Sequence, residues 1–338
     1  MKKVFIVLFL FIMVAIPGVS ETLHIYSWSD YIPEDVIESF ENAYNCKVIY
    51  DTYDSNETMY AKLKAGATGY DIAFPSGDYT EIMIRENMLI SIDKNKIPNF
   101  NYLDPDVLKM ITYDPGNEYS VPYQLGSTGI AVNTLYVDEY EKSWSIYLRE
   151  DLKGKMTLLD DMREVFGAAL KYLGYSVNTT NTEHLRQGKE VILEWENNIV
   201  KFDNEVFAKG VISGEFWVVH GYGENIYYEG TEEELKNIEF FIPEEGSTLW
   251  IDNMVILKGA RNVELAHKFI NYVLDPKVSA TISDYLLLPS IVPAAEEYIE
   301  EERIYTVEDL QNCEMINDLG ENLKLYNKLW NEIRFGLW

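Results

Sequence analysis

Hydrophobic and polar positions after residue 20 switch repeatedly between the period of a strand and that of a helix. Short runs rich in apolar, β-branched and aromatic residues alternate with stretches in which apolar residues recur at helical spacing. The predicted order is strand, helix, strand, helix, strand, over residues 23–28, 33–44, 47–53, 55–63 and 70–74. This βαβαβ order predicts an α/β domain with a largely parallel sheet, in which ligands bind beyond the carboxyl ends of the strands.

A second region begins near Ser127, and no Pro/Ser-rich linker or internal repeat separates it from the first. Its pattern predicts strands at 128–133 and 249–257, helices at 160–173, 183–200 and 263–274, a buried strand with its exit loop at 211–222, and a helical tail from Val307. Two domains without a linker suggest that the chain crosses between them more than once.

The first twenty residues have the pattern of a secretory signal peptide. Lys2 and Lys3 precede thirteen apolar residues, Val4 to Ile16, and small residues follow up to Ser20. The apolar run is short for a membrane span, although an uncleaved N-terminal anchor is the alternative. Cleavage near Ser20 would deliver the rest of the chain to the periplasm.

Two cysteines, Cys46 and Cys313, lie in the exported part. Neither is close to the cleavage boundary, so the usual lipid-attachment residue is missing and an unanchored exported protein is expected. The pair could form a disulfide in an oxidising compartment, or remain as two partly buried thiols. Because the two cysteines lie far apart in the sequence, their spacing does not distinguish a disulfide from two free thiols.

Composition and charge narrow the classes of function. The 338 residues are 47% hydrophobic and 25% charged, which is typical of a globular protein, and the length favours two domains. Lys and Arg number 28 and Asp and Glu 56, so the formal net charge is 28 − 56 = −28. Such a charge opposes binding to nucleic acid and anionic membranes and favours capture of small cations.

Common catalytic and metal-binding motifs do not occur in the sequence. The four histidines form no H-E-x-x-H and no Cys/His cluster, and there is no G-x-S-x-G, P-loop or G-x-G-x-x-G motif. We therefore predict no metal and no cofactor, and the case for an enzyme is weakened.

Aromatic residues stand next to carboxylates at predicted strand ends. Trp28 and Tyr31 flank Asp30 after the first strand, and Trp250 precedes Asp252 by two positions. Aromatic faces attract amine cations, and carboxylates accept charge-assisted hydrogen bonds from them. The alternative for each aromatic residue is ordinary core packing.

Two acids, Asp161 and Glu164, lie three residues apart at the start of a predicted helix. The helix N-terminus favours their ionised forms, which suits a positively charged ligand. A capping box is the structural alternative, since Asp is followed three positions later by Glu. A glycosidase acid/base pair is a third possibility, but carboxylates held ionised would be poor proton donors at neutral pH.

From about Leu23 to its C-terminus the chain resembles the periplasmic polyamine-binding proteins of spermidine/putrescine ABC importers. The resemblance rests on "YSWSDYIPEDVIESFE", "VIYDTYDSNETMYAKLKAGATGYDIAFPS", "LDDMREVFGAALKYLGYSVNTT" and "LWIDNMVI", which occur in family order. It implies a two-lobed type II periplasmic binding protein with a cleft between two mixed-sheet α/β domains and crossing hinge strands. The implied lobes are residues 21–127 plus 253–295 and residues 128–252 plus 296–338.

The resemblance also implies what the protein does. It implies a monomer without catalytic activity or cofactor that captures putrescine or spermidine and delivers it to membrane permease subunits. In the family, carboxylates hold the amines and aromatic rings contact the methylene chain. Family positions fall on Trp28, Tyr31, Ser76, Asp161, Glu164, Trp250 and Asp252.

The sequence departs from the family at four positions. Asp78 replaces a usual aromatic residue, Tyr222 a tryptophan, Leu288 a tyrosine and Ile316 a glutamine. Tyr222 keeps an aromatic face and Asp78 adds a carboxylate, so both are included among the expected ligand-binding residues. The preferred amine depends on these changes.

Two other functions stay open. A ferric-iron-binding protein of similar architecture is suggested by 25 tyrosines and the adjacent pair Tyr227 and Tyr228, because phenolates are hard oxygen ligands. An exported hydrolase using Asp161, Glu164 or Asp252 would show turnover instead of stoichiometric binding.

Overall fold

A computed structural model describes residues 21–336. The predicted signal peptide and its cleavage near Ser20 lie outside the described residues. None of the helices in the described part of the chain combines the length and apolar character needed to cross a membrane.

The strands form one mixed sheet in the order β2-β1-β3-β9-β4-β7-β5-β6, with β10 beside β9 and β8 beside β4. Most of their residues are β-branched, aromatic or leucine, which fit a buried pleated surface. Within residues 21–336 the strands are β1 (Glu21–Trp28), β2 (Cys46–Tyr53), β3 (Ile72–Ala73), β4 (Ser120–Asn133), β5 (Met156–Leu158), β6 (Ile199–Phe202), β7 (Val218–Tyr222), β8 (Ile238–Phe241), β9 (Thr248–Ile256) and β10 (Glu314–Met315).

Several helices begin after a residue whose side chain caps them. Ser55, Asp161 and Asn181 each accept a backbone N–H of the first turn through their side chains. The α-helices in the same range are α1 (Glu34–Tyr44), α2 (Asn56–Lys64), α3 (Gly77–Arg85), α4 (Pro105–Met110), α5 (Met162–Tyr172), α6 (Thr182–Glu196), α7 (Phe207–Ser213), α8 (Gly223–Glu229), α9 (Glu232–Leu235), α10 (Val263–Val273), α11 (Pro276–Leu286) and α12 (Leu323–Phe335).

The long strands β4 and β9 join the two halves of the sheet. All 14 residues of β4 are buried. Its first part, up to Ser127, pairs antiparallel with β9, and its second part, from Thr128, pairs with β7 and β8. One continuous strand therefore belongs to both halves, which explains why no separate linker is present in the sequence.

The predicted fold class is confirmed. β1 pairs in parallel with β2 and β3, as the βαβαβ pattern indicates, and β5 pairs in parallel with β6 and β7. The antiparallel crossing strands make the sheet mixed, in agreement with the two-lobed architecture that the resemblance implies.

Three predicted elements need correction. The helix predicted to reach Val200 ends at Glu196, because the β-branched residues after it form β6 beside β5. The strand predicted to begin at Val211 begins only at Val218. Val211 itself lies in helix α7, which ends before Gly214 in the left-handed conformation. The tail after Val307 is helical only in α12, since β10 adds to β9 before that helix.

The two cysteines remain separate thiols in the structure. Cys46 is buried at the start of β2. Cys313 is half-buried and lies 3.6 Å from the Ser127 hydroxyl. Of the two alternatives for this pair, the structure has the unpaired one.

Candidate ligand-binding site

The carboxyl ends of four parallel strands converge on one cleft. β1 and β3 run parallel in one half of the sheet, and β5 and β7 run parallel in the other. The segments that follow all four strands line a cleft of about 800 Å³. This is where parallel α/β sheets bind ligands. The lining includes all nine residues expected from the sequence, namely Trp28, Tyr31, Ser76, Asp78, Asp161, Glu164, Tyr222, Trp250 and Asp252.

Asp252 is the buried carboxylate of the crossing strand β9 and is only 6% exposed. The Tyr31 hydroxyl donates to its Oδ2 at 2.8 Å, and the Ser76 hydroxyl donates to its Oδ1 at 2.5 Å. Asn56 Nδ2 donates in turn to the Ser76 hydroxyl at 2.9 Å. These neutral donors orient both carboxylate oxygens without supplying a positive charge.

Trp250 owes its position to a glycine on the neighbouring strand. Gly126 pairs with Trp250 across β4 and β9, and a Cβ at Gly126 would lie 2.2 Å from Trp250 Cζ2. The indole therefore covers the backbone of β4 beside Asp252, which is two residues along the same strand and on the same face. An aromatic face next to a carboxylate is a favourable environment for an amine cation.

Trp28 and Tyr31 reach the cleft from the end of β1. The Trp28 indole N–H donates to the Phe74 carbonyl at 3.0 Å, and the ring lies 4.7 Å from that of Tyr53. The Tyr123 hydroxyl donates to the Tyr31 carbonyl at 2.7 Å. The Trp28 side chain and the Tyr31 backbone are thus held in place by groups outside the cleft.

The two acids of α5 have different environments. Asp161 is the N-cap, and its Oδ1 accepts the backbone N–H groups of Arg163 and Glu164 at 2.8 and 3.1 Å. The capping alternative is therefore correct for Asp161, which lines the cleft as well. Glu164 turns into the protein and accepts hydrogen bonds from the hydroxyls of Thr128, at 2.6 Å, and Thr248.

A buried histidine supports Glu164 from behind. His220 Nε2 lies 3.1 Å from the Thr128 hydroxyl. Because Thr128 gives its proton to Glu164, Nε2 must donate to the hydroxyl oxygen. Burial lowers the pKa of His220 to about 3, so the ring is neutral. The chain His220, Thr128, Glu164 fixes one carboxylate oxygen.

Burial raises the pKa of both deep carboxylates. The pKa of Glu164 rises to about 7 through burial and the nearby Asp161, although the Thr128 and Thr248 hydroxyls lower it. The pKa of Asp252 rises to about 7 through burial, against the lowering effect of the Ser76 and Tyr31 hydroxyls. We expected the helix N-terminus to keep Glu164 ionised, but burial has the larger effect on its pKa and favours the protonated form. A cation bound next to these two carboxylates would stabilise their ionised forms.

Asp78 and Arg163 both line the cleft and interact electrostatically. Burial raises the pKa of Asp78 to about 6, while Arg163 lowers it. The Arg163 guanidinium donates to Asn178 Oδ1 at 2.8 Å and to the Asn317 carbonyl at 3.1 Å. Asp78 is therefore a carboxylate that already has a cationic neighbour, unlike Asp252.

The two apolar departures from the family also line the cleft. Leu288 is 2% exposed, and Ile316 donates its backbone N–H to the Leu249 carbonyl at 3.1 Å. With Leu286 and Met315 they form an apolar surface. Alkyl spacers of a ligand would gain from contact with it.

Sequence reasoning missed several polar residues of the cleft, among them Arg163 and Glu224, and it considered Tyr228 only as an iron ligand. Arg163 stands between the two acids that were singled out. Glu224 and Tyr228 lie in α8, directly after the carboxyl end of β7. The rule that ligands meet strand ends would have found Glu224, because it is two residues beyond Tyr222.

The assembled groups define the chemistry of the cleft. Carboxylates and aromatic rings both line it, and Arg163 is the only Lys or Arg among the described residues of its lining. Among residues 21–336, no three His, Cys, Asp or Glu side chains are grouped to hold a metal ion. The arrangement suits an elongated organic cation with an apolar body.

A cleft of this kind between two halves joined by crossing strands defines an extracellular solute-binding protein. The chain belongs to the family of bacterial extracellular solute-binding proteins, whose model matches residues 35–306.

Similarity to individual relatives extends over nearly the whole chain. The "Putrescine/cadaverine-binding protein" of Pseudomonas aeruginosa is 34% identical over 99% of both chains. The "Spermidine/putrescine-binding periplasmic protein" of Escherichia coli is 35% identical over 94% of this chain and 92% of its own. The resemblance inferred from the sequence is thus confirmed.

Solved structures give the same result. The TpPotD lipoprotein of Treponema pallidum has a TM-score of 0.89 and 45% identity, covering 93% of this chain and all of its own. The spermidine/putrescine ABC transporter substrate-binding protein PotD of Streptococcus pneumoniae has a TM-score of 0.86 and 30% identity, with 94% and 99% covered.

Proposed function

We propose that this protein captures a polyamine, putrescine or spermidine, and delivers it to the membrane permease subunits of an ABC importer. The observation that carries this proposal is the cleft in which Asp252 and Glu164, both buried and held by neutral hydroxyl donors, stand among aromatic rings. Relatives named as putrescine- and spermidine-binding proteins support it.

The proposed roles of the nine residues follow from their chemistry. Trp28, Tyr31, Tyr222 and Trp250 supply aromatic walls for the methylene chain and its cations. Asp161, Glu164 and Asp252 supply the charge, Ser76 orients Asp252, and Asp78 adds a further carboxylate to the lining.

The proposal extends to organisation and location. We propose the lobes that the resemblance implies, residues 21–127 plus 253–295 and residues 128–252 plus 296–338, and the change of partners along β4 at Ser127 and Thr128 supports the first boundary. Because Ser127 pairs with Leu249, the matching crossing on β9 falls near Leu249, which places Asp252 with the first lobe. We infer that the protein acts as a monomer in the periplasm after cleavage near Ser20, without a lipid anchor. The name of the Escherichia coli relative, a periplasmic protein, supports this location.

The relatives favour binding over the two alternatives. The family consists of solute-binding proteins, and the relatives from Pseudomonas aeruginosa and Escherichia coli are named for the amines that they bind. Because the pKa of Glu164 is raised, this residue could donate a proton, and the argument against a hydrolase that assumed an ionised Glu164 no longer holds. The preference for a binding protein over a hydrolase therefore depends on the relatives. Tyr228 lines the cleft while Tyr227 packs against the core, so the adjacent tyrosines do not act together.

Isothermal titration tests the proposal. The protein purified from an exporting host, unfolded and refolded to remove carried ligand, is titrated with putrescine, cadaverine, spermidine, spermine and Fe³⁺-citrate. We expect saturable one-to-one binding of an amine with Kd below about 10 μM, near −7 kcal/mol. Absence of amine binding, or binding of iron alone, would defeat the proposal.

A further inference from the structure

Glu224 is a cleft carboxylate that neither the sequence patterns nor the resemblance singles out. It lies in the first turn of α8, two residues after the end of β7. Its Oε2 atom is shielded from solvent and has no hydrogen-bond partner in the described part of the chain. A buried carboxylate oxygen without a partner is costly, by about 1–3 kcal/mol or more.

The charges around Glu224 indicate what partner it lacks. Burial raises its pKa to about 7, with a smaller contribution in the same direction from the charge of Asp252. Arg163 interacts with Asp78, Glu164 and Asp161, whereas no Lys or Arg of the described residues contributes to the pKa shift of Glu224. Among residues 21–336, the side-chain partners of the Asp252 carboxylate are the hydroxyls of Tyr31 and Ser76. The described residues supply no cation at this end of the cleft, so the ionised forms of both carboxylates depend on a cationic ligand.

The two carboxylates approach from opposite sides of the cleft. Asp252 is tied to the segments after β1 and β3 through Tyr31 and Ser76, whereas Glu224 follows β7 in the other half of the sheet. The Trp250 indole, on the same strand as Asp252, lines the space with them. A primary ammonium has three N–H donors, enough to serve both carboxylates.

We propose that Glu224 is a ligand-binding residue that shares one terminal ammonium group of the polyamine with Asp252, and so links the two sides of the cleft through a single cation. This inference rests on the proposed function and adds a residue to its site. It predicts that Glu224 matters equally for diamines and triamines, because every such ligand ends in a primary ammonium.

The test is a double-mutant cycle by isothermal titration with putrescine and with spermidine. Wild type, Glu224→Gln, Asp252→Asn and the double variant are compared, and Glu229→Gln serves as a matched control. Glu229 lies at the other end of α8 and pairs with Lys209 at 3.4 Å. Its substitution by Gln changes the net charge by the same amount as Glu224→Gln. We expect Glu224→Gln to raise Kd about 10- to 100-fold for both ligands and Glu229→Gln to leave Kd unchanged.

If Glu224 and Asp252 share one ammonium group, the losses of affinity caused by Glu224→Gln and by Asp252→Asn are not independent. The double variant should lose clearly less affinity than the product of the single losses. Unchanged affinity in Glu224→Gln, multiplicative losses, or a loss confined to spermidine would each overturn the inference while leaving the polyamine function in place. If wild type binds neither amine, both proposals fail.

A thermal melt of each ligand-free variant separates binding from folding. Gln is isosteric with Glu, so we expect melting within a few degrees of wild type. If Glu224→Gln melts much lower, Glu224→Asp gives the decision, because it keeps the charge and shortens the reach by one methylene. An intermediate rise in Kd in that variant supports the inference, and wild-type affinity contradicts it.

Discussion

At the scale of single residues, two hydroxyl groups determine how Asp252 can meet a cation. Tyr31 and Ser76 each occupy one carboxylate oxygen, which leaves the remaining lone pairs directed into the cleft. Replacement by asparagine keeps the shape and removes the charge. We expect Asp252→Asn to weaken putrescine binding by about 1.5–3 kcal/mol, the range for hydrogen bonds to charged groups, as measured by isothermal titration. Asp138→Asn, at an exposed position, should have no effect, and wild-type affinity in Asp252→Asn would remove this residue from the site.

The support of Glu164 gives a second prediction for individual side chains. Thr128→Val removes one hydroxyl donor from Glu164 and leaves His220 Nε2 without its acceptor. We expect a loss of about 1–3 kcal/mol in the free energy of unfolding in urea, together with weaker putrescine binding at pH 7. The affinity falls because the Thr128 hydroxyl lowers the pKa of Glu164, and its loss favours the protonated form.

Thr157 provides the matched control for this substitution. It is also fully buried, but its hydroxyl has no partner among the described residues. Thr157→Val should therefore be neutral or slightly stabilising and should leave the affinity unchanged. Equal effects of the two substitutions would mean that the hydroxyl of Thr128 has no special role.

At the scale of elements, the crossing of β4 and β9 requires one particular glycine. A methyl group at Gly126 would lie 2.2 Å from Trp250 Cζ2 and 2.8 Å from the Tyr305 hydroxyl oxygen. We expect Gly126→Ala to displace the indole, lower the free energy of unfolding by about 1–3 kcal/mol and weaken putrescine binding. Gly259→Ala, where a Cβ meets open space, is the control. Urea unfolding and tryptophan fluorescence measure both effects, and an unchanged Gly126→Ala protein would refute the steric argument.

Helices and strands differ in how well the sequence alone predicts them. The strands and helices up to β3 follow local signals, such as Ser55 as the cap of α2, and the sequence alone predicts them within a few residues. The start of β6 is different, because Ile199 continues a helical pattern and becomes strand only by pairing with Met156. Likewise α7 is short and apolar, and periodicity cannot distinguish it from a buried strand.

At the scale of the whole molecule, strand ends far apart in sequence form one site. Family motifs identified Asp252 and Glu164, but the unpartnered state of Glu224 depends on burial by both halves of the sheet. Burial and mutual distance of carboxylates are properties of the folded chain. For this reason the sequence predicted which residues would line the cleft, yet misjudged the ionisation of Glu164.

Those ionisation properties predict opposite effects of pH on affinity and on stability. Burial raises the pKa of Glu164, Glu224 and Asp252 to about 7 in the ligand-free protein. Binding of a dication favours the ionised forms, so putrescine should release protons near pH 7 and bind more weakly as the pH falls from 8 to 5.5. Isothermal titration in buffers of different ionisation enthalpy measures the release.

The stability of the ligand-free protein should change in the other direction. Each of these carboxyl groups has a folded pKa above its unfolded value, so its protonated form stabilises the fold. That contribution is complete below the unfolded pKa and is lost as the pH rises through about 7. We therefore expect the ligand-free protein to melt at a higher temperature at pH 6 than at pH 8, while its putrescine affinity is lower at pH 6. Glu164→Gln and Asp252→Asn should each reduce both trends, because each removes one titrating group. Affinity that does not change between pH 8 and 5.5 would contradict the assignment of these buried carboxylates to the ligand.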